Sequence, residues 1–122
     1  MGDAKFIDHS GKKILLIDIA HCELEDVVRV VKEGKVLIAT QTAGTILTLT
    51  NVDGTQVTSS VRKVLMEFVG QNGAFVKAGA VVGLDRTRAL EFMAIVKFTG
   101  RNLKAFNDLE KAKEWLVAQP QA

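Results

Sequence analysis

Ile14, Leu15, Leu16, Ile17 and Ile19 form an almost unbroken apolar run near the start of the chain. A strand carries such a run only where both of its faces are covered, which is the situation of an interior strand in an α/β sheet. Just before it, Lys5 to Asp8 reads as a second extended segment, joined to Lys13–Ala20 through His9, Ser10, Gly11 and Lys12. Gly11 supplies the positive φ that a tight connection needs, so the chain is expected to open with a β-hairpin. Two later segments carry the same β signal. Thr45 to Val52 alternates Thr with Ile, Leu and Val and stops at the Asp53-Gly54 turn, and Val76 to Leu84 reads as another buried strand.

Helical spacing fills the intervals. Glu23, Glu25 and Asp26 place negative charge where a helix N-terminus favours it, and Leu24, Val27, Val28 and Val31 follow as an apolar stripe. The end of this helix is ambiguous in the pattern. Gly34 suits a stop, with Val36, Leu37, Ile38 and Ala39 as a strand, yet Ile38 also continues the stripe from Val31. A second helix is expected from Ser59 or Ser60, both good N-caps, with Val61, Val64, Leu65, Phe68 and Val69 inward and Gln71, Asn72 and Gly73 at its end. Arg86 to Phe98 is a third helix, Leu103 to Phe106 a short strand, and Leu109 to Ala118 a last helix. Asn107 and Glu110 there have capping-box spacing, and Leu109, Ala112, Trp115 and Leu116 form the packing face. Strands alternating with helices imply right-handed βα units and a mostly parallel sheet with an antiparallel edge. The expected architecture is α/β, with about five strands and four helices in one domain over residues 1–122.

Charge and cysteine usage exclude several function classes. Sixteen basic and 14 acidic residues leave a formal charge of +2 with no basic block, so no nucleic-acid partner is expected. The single cysteine, Cys22, has no partner within the chain for a disulfide, and Met1 to Lys5 is too short and polar for a secretory leader, which points to the cytoplasm. No apolar run approaches the roughly 20 residues that cross a bilayer. Neither glycine-rich phosphate motif occurs, and no cofactor is expected.

Each local cluster has a chemical and a structural reading. Ser60 and Lys63 have the Ser-x-x-Lys spacing of penicillin-recognising enzymes, but the companion motifs are absent and Ser60 reads better as a helix cap. His21, Cys22, Glu23 and Glu25, with His9, are ligand types without ligand spacing, so no metal is expected. No nucleophile, base and orienting group can be placed together, and the chain is read as a non-enzyme with no catalytic residue. Arg86, Arg88 and Arg101, with Lys97 and Lys104, gather around the third helix as a candidate anion-binding group. That helix also carries Leu90, Phe92, Met93, Ile95, Val96 and Phe98, more apolar surface than one sheet face needs. A homodimer contact, a partner surface or a small apolar pocket is expected there.

The segments Gly11 to Ile19 (GKKILLIDI), Thr45 to Gly54 (TILTLTNVDG), Val76 to Leu84 (VKAGAVVGL), Phe98 to Asn102 (FTGRN) and Phe106 to Leu116 (FNDLEKAKEWL), in this order, resemble the bacterial SpoIIAA-like proteins of the STAS superfamily. The resemblance implies a STAS-type mixed sheet with helices packed across it. It also implies that the first helix runs through Val36 to Ala39, to about Gln41. Members of the superfamily are regulatory modules: anti-sigma factor antagonists bind a kinase that sequesters a sigma factor and are switched by phosphorylation of a serine, while relatives of similar fold bind small ligands or lipids. Val57 to Val61 (VTSSV) takes the place of the phosphorylated Ile-Asp-Ser-Ser-Gly motif, which makes Ser60, with Ser59 before it, the phosphoacceptor candidate. A phosphate at a helix N-terminus would meet free backbone N–H groups. Thr58 replaces the motif's aspartate and Val61 its glycine, changing charge and backbone freedom at the switch.

Overall fold

The computed structural model describes residues 2–120; Met1, where the leader reading begins, lies outside them. Strands β1 (Asp3–His9) and β2 (Lys12–Asp18) form the expected hairpin, followed by α1 (Leu24–Ile38), β3 (Ile46–Asn51), α2 (Ser59–Gln71), β4 (Val76–Val82), α3 (Arg86–Thr99), β5 (Leu103–Phe106) and α4 (Leu109–Val117). Ser10 and Gly11 both have positive φ, 51° and 78°, which is what a two-residue primed turn requires. The five strands lie in chain order, with β1 antiparallel to β2 and every later pair parallel. The order shows a sheet that grows always at the same edge. Right-handed crossovers then place each connecting helix on one face.

Side-chain alternation along the strands builds two cores from that arrangement. Leu15, Ile17 and Ile19 of β2 and its end point toward α1 and α2, where they join Val27, Val30, Val31, Ile38, Val61 and Phe68. Ile14, Leu47, Leu49, Ala78, Ala80 and Val82 point the other way, against Ala112 and Leu116 of α4. The apolar run of β2 is unbroken because both faces are covered. Helix α4 follows the last strand and has no crossover to make, so it is free to close the second face, and the small Ala78 and Ala80 let it approach. Burying one side chain of the Ile17 or Leu49 kind contributes about 1.5–3 kcal/mol.

Gly34 settles the ambiguous first helix. It is not a stop: it lies inside α1, buried, where an added Cβ would come 3.4 Å from the Phe68 ring. The glycine thus sits in the buried contact between α1 and α2. The α-helix ends at Ile38, earlier than the expected Gln41. Beyond it the amides of Thr40 and Gln41 bond three residues back, to Leu37 and Ile38, which tightens the last turn out of α-helical geometry.

Two caps differ from expectation. The N-cap of α2 is Thr58, whose hydroxyl accepts from the Val61 amide at 3.2 Å, so Ser59 and Ser60 lie in the first helical turn and cap nothing. The N-cap of α4 is Asp108 and not Asn107, with its carboxylate accepting from the Glu110 amide at 2.8 Å. In both cases the extended residue is the one immediately before the helix, and its side-chain oxygen reaches an amide that has no partner within the helix. Among the described residues no helix is long and apolar enough to cross a membrane.

Candidate functional site

The loops that leave the carboxyl ends of β3 and β4 lead into α2 and α3, and the N-termini of these helices border one open cleft of about 620 Å³. Val57, Thr58, Ser59 and Arg62 line the α2 side of the cleft, and Asp85, Arg86, Thr87, Arg88 and Glu91 the α3 side. Ser59, but not Ser60, therefore belongs to its wall. Asp85 was not anticipated as a functional residue; it caps α3 by accepting from the Arg88 amide at 2.8 Å, and its other carboxylate oxygen lies 3.7 Å from the Arg88 side chain. Among the described residues neither Arg62 nor Arg86 forms an ion pair. Three arginines face two carboxylates, and two helix N-termini add positive potential, so the cleft favours an anion.

Immediately beneath it lies a second space of about 110 Å³ that is almost wholly apolar. The sheet supplies Thr50 and Val81, the loops after β3 and β4 supply Val52 and Leu84, α2 supplies Leu65, Met66, Phe68 and Val69, and α3 supplies Phe92 and Ile95. Val57, Arg62, Arg88 and Glu91 belong to both walls, so the apolar space and the charged cleft adjoin. The stripe Leu65, Phe68 and Val69 was visible in the sequence only as packing surface. Its cavity-lining role needed the position of α3.

Helix α3 divides the apolar residues that its sequence groups together. Phe92 and Ile95 face the cavity, Met93 is half-buried, and Val96 is the one buried residue of the helix. Leu90 and Phe98 point away, 66% and 93% exposed, with Ala94 between them on the same ridge. A surface phenylalanine exposed to this degree has no packing role in the chain itself.

The remaining candidates lie elsewhere. Arg101 is not part of the cleft: its guanidinium donates to the Val69 carbonyl at the far end of α2, where burial lowers its pKa. Ser60 and Lys63, the Ser-x-x-Lys pair, are both exposed on α2. His21 lies against Gly54, and Cys22 is buried, its thiol pKa raised first by that burial and next by the Asp26 carboxylate. Among the described residues no group of three or more His, Cys, Asp or Glu side chains could hold a metal ion.

No known protein family matches the chain by sequence, and no curated protein matches it. A solved structure does: an uncharacterized protein of the DUF3478 family from Shewanella loihica PV-4, described as having a SpoIIAA-like fold. The two superpose with a TM-score of 0.73 over 95% of each chain at 15% sequence identity. The fold of this protein is thus SpoIIAA-like, as the order of its sequence segments implied.

Proposed function

We propose that this protein is a non-enzymatic, single-domain cytoplasmic module of STAS type that senses or carries a small apolar ligand between α2, α3 and the sheet. The observation that carries this reading is the two-sided character of α3. Its inner side walls the apolar cavity, while its outer side exposes Leu90 and Phe98. A helix with one buried residue is held weakly by the core, so occupation of the cavity shifts its position and with it the outer ridge. That ridge is the contact surface for a second copy of the chain or for a regulatory protein.

The test is an NMR titration of the backbone amides with hexanol and with benzene. Saturable shifts at Leu65, Val69, Phe92 and Ile95 are expected, accompanied by shifts along α3 as far as Leu90 and Phe98, together with their disappearance in Ile95→Trp, which fills the space. Titrations that leave those four amides unmoved would sink the reading.

One observation favours a second reading: Ser59 lies in the wall of the arginine cleft. Transfer of a phosphoryl group from a nucleotide to its hydroxyl, with Ser60 as the neighbouring acceptor, would place the new charge among Arg62, Arg86 and Arg88 and switch binding to a kinase or an anti-sigma-like partner. Incubation with ATP and lysate from the source cells followed by phosphosite mapping tests it. Phosphate at neither serine removes the switch.

A further inference from the structure

We infer that the ligand of the apolar cavity is an amphipathic anion, a short acyl or aryl group that bears a carboxylate or a phosphate monoester, with its charged end held by Arg62, Arg86 and Arg88. This rests on the cavity reading above and adds the identity of the ligand's polar end.

Three observations carry it. The cavity's size limits the tail: about 110 Å³ is smaller than the roughly 150 Å³ cavity that accommodates benzene in an engineered protein core. A tail of about six carbons that projects partly into the cleft is therefore the upper limit unless α3 moves. Next, the walls are shared. A ligand seated on Phe92 and Ile95 lies beside Arg62 and Arg88, because these residues border both spaces. Last, the positive groups at that border are available. Arg62 and Arg86 are without carboxylate partners among the described residues, and Arg88 shares Asp85 at 3.7 Å, a loose contact that a competing anion displaces. Guanidinium groups bind carboxylate and phosphate oxygens through paired N–H donors, which fixes the orientation of the head while the tail supplies the burial. A neutral ligand would leave this arrangement unused.

The probes are hexanoate, hexyl phosphate and hexanol, which share one tail and differ in the head, titrated against the full chain by NMR and calorimetry. At least one anion is expected to bind on the order of fivefold more tightly than hexanol, the scale of a partly exposed charge contact, and the preferred anion names the head. Arg62→Gln and Arg86→Gln are expected to reduce that preference to nearly nothing. Arg86 borders only the charged cleft, so Arg86→Gln should leave hexanol binding in place and so show that its variant folds. Arg62 also borders the cavity, so Arg62→Gln is read by the ratio of anion to hexanol affinity. Hexanol binding as tightly as both anions, or an anion preference that survives both substitutions, overturns the inference and leaves the cavity reading standing. Binding of none of the three overturns both.

Discussion

Arg101 donates a hydrogen bond to the carbonyl oxygen of Val69, in the last turn of α2, and its guanidinium lies against Gly73, 3.4 Å from where a Cβ on that glycine would be. A helix leaves its final carbonyls without partners inside the helix, and a cation there also meets the negative end of the dipole. The loop after α3 is thereby pinned to the end of α2, and the far ends of the two cavity-forming helices are held together. Arg101→Met is expected to lose about 1.5–3 kcal/mol, the range for a hydrogen bond to a charged group. Urea denaturation measures it. Arg101→Lys should recover part of the loss, and an Arg101→Met variant as stable as the wild type would show that the contact carries no weight.

Thr58 and the two serines after it separate capping from any switch. Since Thr58 accepts from the Val61 amide, Thr58→Ala should destabilise the chain by about 1 kcal/mol. Ser59→Ala and Ser60→Ala, in the first helical turn with exposed side chains, should each change stability by no more than about 0.5 kcal/mol. Paired chemical denaturation curves decide the order; a larger loss at Ser60 than at Thr58 contradicts the observed cap.

How far the sequence reached follows from which interactions are local. Strand-by-helix alternation, the hairpin and the two-faced burial of β2 were legible because period and composition carry them directly. Gly34 was not, since a glycine that ends a helix and one buried within it look alike until Phe68 of α2 is placed beside it. The caps moved by one or two residues because Thr58, Ser59 and Ser60 are all competent cap types, and only backbone conformation distinguishes them. At the site, the apolar excess of α3 pointed to something beyond the sheet. Its division between Phe92 and Ile95 inside and Leu90 and Phe98 outside depends on how the helix rolls against β5, which no local pattern encodes. Arg101 was grouped with Arg86 and Arg88 by proximity in sequence, while α3 itself, running from Arg86 to Thr99, separates them.

Gly54 joins the turn after β3 to the turn after β2. It has φ of +68°, and a Cβ there would lie 2.1 Å from the His21 imidazole. Gly54→Ala combines a clash with a backbone strain of roughly 1–2 kcal/mol. Its melting temperature should fall clearly, and adding His21→Ala should restore the clash component and leave the strain. If the double variant is no more stable than Gly54→Ala alone, the ring is not the obstacle.

Burial of Cys22, with Asp26 next, raises the thiol pKa, so the folded state holds the proton more tightly than the unfolded one. The sign follows from proton counting. Below the unfolded thiol pKa, roughly 8.5, both states are protonated and stability is intact; as pH rises beyond it the unfolded chain loses a proton that the folded chain keeps, and stability falls until the folded pKa is passed. The stability of Cys22→Ala should therefore decline less steeply than that of the wild type above about pH 8.5. Parallel slopes for the two proteins between pH 8 and pH 10 would remove Cys22 as the cause.

Leu90 and Phe98 offer a test that separates surface from core. Both are exposed and lie one on each side of Ala94 along the outer ridge of α3, so Leu90→Asp and Phe98→Asp remove little buried contact and should each cost about 1 kcal/mol, from lower helix propensity and, at 98, from a carboxylate at the negative end of the helix dipole. If the ridge is the surface through which the chain meets a second copy, light scattering should show the wild type shifting toward dimer as concentration rises. The double variant should stay monomeric at the same concentrations, because a buried carboxylate at an apolar contact costs far more than the contact returns. At concentrations where both proteins are monomeric ligand binding should be alike, since Phe92 and Ile95 face the other way. A wild-type chain that stays monomeric throughout removes self-association from the ridge, and a double variant that unfolds would mean that α3 leans on these residues in a way their exposure denies.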